Sequence, residues 1–155
     1  MQFSLHAYAD RMRLAKLNPA KYRENYIAVQ EMTLASYRHD YLFHLTTSRD
    51  EISMFFNAEL EKETDINYSG FQIYEETYRV IELHCLYIPR EEHGIDHIGI
   101  VSTITGVLSK HKISILYVNS YSHNYVFLRE QDYIRAIDIL IKEHLIEKNS
   151  MVISL

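Results

Sequence analysis

An α+β fold is predicted by three features of the sequence. Short apolar runs with two-residue alternation recur along the chain, as half-buried strands require. Three longer stretches carry apolar residues at helical spacing between such runs. The second half reads strand, helix, strand, strand, helix, strand, the βαββαβ order of ferredoxin-like domains, in which antiparallel sheets pack with helices on one side.

The elements follow in order. Phe3, Leu5 and Ala7 alternate with Ser4, His6 and Tyr8, which predicts a strand. Asp10 is placed to turn the chain into a second strand through Met12, Leu14 and Leu17. Asn18-Pro19 is a helix start signal, because Asn is a good N-cap and proline at the first helical position loses nothing by lacking an N–H. The helix is predicted to reach about Tyr37, with Tyr22, Tyr26, Val29, Thr33 and Tyr37 along one side. Tyr41 to Leu45 and Ile52 to Phe56 read as paired strands about a turn from Thr46 to Asp50. Residues 58 to 70 change character: Glu59, Glu61, Glu63 and Asp65 make an acidic stretch ending at Ser69-Gly70, which reads as a solvated connection and places the module boundary. Two modules are therefore expected, 1–65 and 66–155.

In the second module a strand is predicted over Tyr78 to Tyr87 and a charged loop over Pro89 to Gly94. A helix follows from His97 to His111 with Ile98, Val101, Ile104 and Leu108 on one face. Strands are expected at Ile113 to Val118 and Tyr125 to Arg129. A second helix begins near Asp132, an expected N-cap, and buries Tyr133, Ala136, Ile137 and Leu140. Met151 to Ile153 closes the fold as a strand.

Composition narrows the function. The chain of 155 residues is 47% apolar and 24% charged, which is globular rather than disordered. A net charge of −5 without basic clusters argues against nucleic acid as a partner. Thirteen tyrosines and no tryptophan suit interfaces and half-buried sheets. Cys85 is the single cysteine, so no intrachain disulfide forms and a reducing compartment is the default. Met1 to His6 resembles neither a signal peptide nor a membrane span. A cytoplasmic protein with no membrane partner is expected.

Enzyme chemistry is disfavoured. Glu75-Glu76 and Glu91-Glu92 are adjacent pairs whose side chains diverge, no serine sits on a glycine-flanked elbow, and four glycines hardly build a phosphate loop. Of nine histidines, His93 and His97 have the four-residue spacing of a helical metal pair, but Gly94 and Asp96 lie between them and no thiolate joins them. They read as surface or half-buried histidines, and neither a metal nor a cofactor is expected. The segment Gly94-Ile95-Asp96-His97-Ile98-Gly99 leads into a helix N-terminus, whose unpaired N–H groups favour a carboxylate, while Asp96 suits an ammonium group. The alternative is that Asp96 caps the helix and Gly99 packs helix on sheet. Between the strands after that helix, Asn119 to Asn124 form a polar patch that reads as a decorated hairpin turn.

The run GIDHIGIVSTITGVLSKHKISILYVNSYSHNYVFLREQDYIRAIDIL resembles an ACT domain, a small βαββαβ regulatory module that binds amino acids. The features that carry the likeness are Gly99-Ile100 before a helix, Ile113-Ser114-Ile115 opening a strand, the turn Ser120-Tyr121-Ser122-His123-Asn124, and Arg129-Glu130. The type is that of the CASTOR cytosolic arginine sensors and of paired-ACT proteins of bacteria. MQFSLHAYADRMRLAKL and LFHLTTSRDEISMFF resemble the first half of that pattern, so the likeness spans tandem modules equivalent to one half of such a sensor.

The resemblance implies a non-enzymatic regulatory protein, involved in nutrient sensing, that binds a free amino acid or similar small metabolite between modules. It also implies a homodimer and signalling through a regulatory protein partner. It nominates Gly94, Ile95, Asp96, His97, Ile98 and Gly99, with Ser114 and Ile115, and Ser120, Tyr121 and Asn124 of the turn, as ligand contacts. Asn124 stands where the family has an aspartate, and His97 where the arginine-binding module has an acid; both departures weaken the case for a cationic ligand. The alternative is an interaction or scaffold module on the same fold with a vestigial site.

Overall fold

Seven strands and four α-helices follow one another in the computed structural model, which describes residues 3–63, 70–85 and 99–153. They are β1 (Phe3–Leu17), a 3-10 turn (Pro19–Lys21), α1 (Tyr22–Arg38), β2 (His44–Thr47), β3 (Ile52–Asn57), α2 (Leu60–Glu63), β4 (Phe71–Cys85), α3 (Ile100–Lys110), β5 (Ile115–Asn119), β6 (Asn124–Arg129), α4 (Glu130–Lys142) and β7 (Ile146–Ile153). Two compact units result: a C-terminal unit of Met1–Ala9 and Tyr78–Leu155, and an N-terminal unit of Asp10–Thr77. The fifteen-residue strands β1 and β4 each give one half to each unit.

In the C-terminal unit the sheet order is β7-β1-β4-β6-β5. β6 pairs antiparallel with β4 and β5, while β7 runs parallel to β1. This is the ferredoxin-like α+β arrangement with the first residues of the chain inserted beside its first strand. Alternation sorts the two faces. Phe3, Leu5 and Ala7 of β1, Ile81 and Leu83 of β4, and Val126 and Leu128 of β6 point to one face and are buried with Ile100, Ile104 and Leu108 of α3 and Tyr133, Ala136, Ile137 and Leu140 of α4. Each fully buried aliphatic or aromatic side chain contributes about 1.5–3 kcal/mol, so this layer fixes the register of every strand that crosses it. α4 places Glu130 and Asp132 in its first turn and Lys142 in its last, matching the helix dipole. Its cap is Arg129 rather than Asp132.

The N-terminal unit has the order β2-β3-β1-β4, with β1 and β2 both antiparallel to β3. Ala15, Val29, Met32, Ala35, Met54, Phe56 and Leu60 form its core. Three expectations are corrected here. Asp10 does not turn the chain: β1 runs straight through it, and its carboxylate accepts from Nδ2 of buried Asn57 at 2.8 Å. α1 does not bury its tyrosine stripe; Asn25, Val29, Met32, Ala35 and Ser36 face inward, whereas Tyr37 is 87% exposed. Residues 58 to 70 are not all solvated connection, because Asn57 Oδ1 accepts from Glu59 N and opens α2, whose Leu60 is fully buried. The rest of that acidic stretch, 64–69, lies outside the described residues.

Candidate functional site

The residues nominated from sequence fall into three groups. Gly94 to Ile98, with the expected loop at Pro89 to Gly94, lie outside the described residues. Gly99 caps α3 in the left-handed region at φ 92°. Its carbonyl accepts from Thr103 N at 2.9 Å, Thr103 Oγ1 at 2.7 Å and Ser102 Oγ at 3.0 Å. Having no side chain, it leaves the first N–H groups of α3 without a side-chain cap. Ser114 is exposed just ahead of β5, and Ile115 opens that strand opposite Leu128 and packs on the core.

The third group sits at the other end of β5. Ser120 N donates to His123 O at 3.0 Å and closes the hairpin; Tyr121 is exposed. Asn124 is buried, and its Oδ1 accepts from the Tyr117 hydroxyl at 3.0 Å, so that oxygen already has an intramolecular donor. The turn and the Ser114-Ile115 pair are separated by the length of β5, about 17 Å at a strand's rise per residue. One unit does not bring them together.

A different constellation does converge, on the sheet face opposite the helices. The alternation that sends Ile81 and Leu83 into the core sends Glu82 and His84 the other way, and likewise His6 and Tyr8 of β1 and Tyr125 of β6, which pairs with Glu82. Glu82 is 2% exposed. Its Oε2 accepts from the Tyr8 hydroxyl at 2.7 Å, and its Oε1 meets His84 Nε2 at 2.9 Å and His123 Nδ1. His6 Nδ1 lies 3.9 Å from Oε2. The rings stack in pairs: His6 on Tyr8 at 4.7 Å between centroids, and His123 on Tyr125 at 5.8 Å. His6, Tyr8, Glu82, His84, Ser122 and His123 line a cavity of about 410 Å³.

Burial pushes the Glu82 carboxyl up, but hydrogen bonds from His84, His123 and Tyr8 outweigh it and hold the group down at about 2. Glu82 is therefore a carboxylate at neutral pH. Burial raises the Tyr8 phenol, and the Glu82 charge raises it further, so Tyr8 stays a donor. Burial and the same charge raise Tyr125. The cluster is a fixed negative charge held by one hydroxyl and two imidazoles. Among the described residues no group of three or more His, Cys, Asp and Glu side chains is arranged to hold a metal ion.

Sequence reasoning placed His123 inside the polar patch, and it did not single out Glu82, His84, His6 or Tyr8 as site residues. The signal was there in the phase: Ile81-Glu82-Leu83-His84 puts two polar residues on one face of a strand. The N-terminal unit holds a second cavity, of about 310 Å³, where Lys16, Asn18, Asp50, Glu51, Gly70 and Gln72 gather at the start of α1.

Comparison with known proteins supports the fold. No curated protein matches the chain in sequence. A protein from Agrobacterium tumefaciens superposes with a TM-score of 0.66 at 14% identity, covering 100% of this chain and 96% of that one. The regulatory subunit of aspartate kinase from Thermus thermophilus, in ligand-free form, gives 0.57 at 6% identity over 92% of this chain and 96% of its own. The aspartate kinase of Clostridium acetobutylicum gives 0.58 at 11% identity over 92% of this chain, which spans 34% of the kinase. The family model for the ACT domain matches residues 74–142, from within β4 to the last residue of α4. That match and the ferredoxin-like order around it agree: residues 74–142 of this chain are similar to an ACT domain.

Proposed function

We propose that the protein is a non-enzymatic regulator that binds a free amino acid or similar small metabolite and passes the signal to a protein partner. The observation that carries this reading is the start of α3 at left-handed Gly99, which has no side-chain cap among the described residues, in the segment that matches the ACT domain: the N–H groups and positive dipole of a helix start suit a carboxylate. Fold likeness to a protein named as a regulatory subunit of aspartate kinase supports the regulatory role. Gly94 to Gly99 together with Ser114, Ile115, Ser120, Tyr121 and Asn124 form the proposed ligand surface. Because Ser114-Ile115 and the turn lie at opposite ends of β5, the reading requires them to come from different modules or copies. The mechanism is linkage: a ligand shifts partner affinity by as much as it prefers one state over the other.

The assembly we propose is a cytoplasmic homodimer, equivalent to a CASTOR-type sensor rebuilt from two halves. The outer side of α1 favours it, since Ile27, Leu34 and Tyr37 are 71%, 61% and 87% exposed at spacings of seven and three. Apolar residues at such spacing make a seam for a second helix. Size-exclusion chromatography with light scattering tests this, and Leu34→Glu is expected to leave a monomer. The sensor reading is tested by thermal denaturation against the twenty amino acids. A ligand present at a hundred times its dissociation constant raises stability by about 2.7 kcal/mol. A flat panel with the dimer intact favours the second reading, an interaction module whose ligand site is vestigial.

A further inference from the structure

We propose that the cavity over Glu82, on the helix-free face of the C-terminal unit's sheet, binds a planar aromatic small molecule, held by stacking on the rings that wall it. This surface is separate from the start of α3, and the inference does not rest on the sensor reading.

Strand alternation builds the wall. His6 and Tyr8 stand two apart on β1, and Glu82 and His84 two apart on β4, so all four leave the sheet on the same side. His123 comes from the hairpin turn and stacks on Tyr125 of β6. Among the described residues that line the cavity, His6, Tyr8, His84 and His123 carry rings.

These rings lie in two orientations. The planes of His6 and Tyr8 are 12° apart, with centroids at 4.7 Å. Those of His123 and Tyr125 are 18° apart at 5.8 Å. Between the two stacks the planes are steeply inclined, with Tyr8 at 61° to Tyr125. His84 stands at 76° to His123. A flat π-system laid face-on against one stack therefore turns its edge to the other. Offset stacking and edge-to-face contact are the two arrangements that the ring quadrupole favours. A saturated ring of the same size gains neither. Imidazole and imidazolium faces both attract a π-system, so the contact does not turn on the protonation of any histidine.

Glu82 holds the rings in these orientations. It is 2% exposed, and it meets the Tyr8 hydroxyl at 2.7 Å and His123 Nδ1. One carboxylate thus ties a ring of each stack, and the rings keep their inclination before a ligand arrives. Side chains ordered in advance lose little entropy on binding. The volume of about 410 Å³ lies in the range of small-molecule sites.

The test uses naphthol and its fully saturated counterpart, decahydronaphthol, matched in hydroxyl position and both uncharged at neutral pH. Each is titrated into the full chain by ligand-observed NMR. Naphthol should bind, and decahydronaphthol about tenfold more weakly or not at all. His6 Nδ1 lies 3.9 Å from Glu82 Oε2, too far for a hydrogen bond, so replacing His6 leaves the short contacts of the carboxylate in place. His6→Leu, which keeps the bulk and removes the ring, should weaken naphthol about fivefold. His6→Phe, which restores a ring without a nitrogen, should bind naphthol within about twofold of the parent. Thermal melting followed by circular dichroism checks that both variants fold. The proposal is overturned if neither probe binds, if both bind equally, if folded His6→Leu binds naphthol like the parent, or if folded His6→Phe loses as much as His6→Leu.

Discussion

The hydroxyl of Tyr8 donates to Glu82 Oε2 at 2.7 Å, joining residues 74 positions apart across neighbouring strands. A phenol that hydrogen-bonds a buried carboxylate stabilises more than a neutral pair, about 1.5–3 kcal/mol. Tyr8→Phe keeps the ring and its stacking on His6 and removes the hydroxyl, which also meets Tyr125. Urea denaturation should show a loss of that size with an unchanged slope.

Acid should act on the same cluster. Glu82 is depressed from the usual 4.5 to about 2, so its contribution is fully present above pH 4.5 and is lost as pH falls towards 2. The whole effect is on the order of 3 kcal/mol. Unfolding free energy measured over that window should fall more steeply in the parent protein than in Glu82→Gln. A Glu82→Gln variant with the same acid slope would remove the carboxylate from the account.

Gly99 is held at φ 92°, where a side chain is strained whatever the space around it. An added Cβ would meet only Ser102 Oγ, at 3.8 Å, so the cost is conformational rather than steric. Gly99→Ala is expected to lose about 1 kcal/mol and Gly99→Asn less, since Asn tolerates this region. Thermal denaturation of the pair separates the two causes: a steric site would rank them the other way.

Gly70 presents the opposite case. A Cβ there would stand 2.3 Å from Asn25 Nδ2 and 2.9 Å from Asn25 Cγ, and Asn25 is a buried residue whose amide donates to Lys21 O at 3.0 Å. Gly70→Ala should destabilise by about 1–3 kcal/mol through overpacking. Asn25→Ala removes the obstacle, so the double variant should lose less than the sum of the two. Additive losses would show that the clash is not what constrains Gly70.

Much of the C-terminal unit was legible because its signals are local. Ile104 and Leu108 of α3, and Tyr133, Ala136, Ile137 and Leu140 of α4, sit at helical spacing and all are buried. The hairpin of β5 and β6 carries a strand's alternation on both sides of its turn. What escaped depended on partners remote in sequence. Asp10 has the character of a turn residue, yet a strand continues through it because its carboxylate is taken up by Asn57. Tyr26 and Tyr37 look like a buried stripe, yet Met32 and Ala35, one helical face away, fill the core. Glu82 reads as a solvent-facing acid in an apolar strand; only the arrival of Tyr8 and His123 makes its burial tolerable.

Residues 3–7 pair with residues 146–153. On the ribosome this segment emerges before its partners β4 and β7, which follow only after the N-terminal unit has been made. That unit has its own helices and hairpin and can close early, from contacts near in sequence. Phe3, Leu5 and Ala7 must meanwhile wait as an unpaired apolar edge. The order of synthesis thus seats this half of β1 late, after the chain between it and its partners has been made.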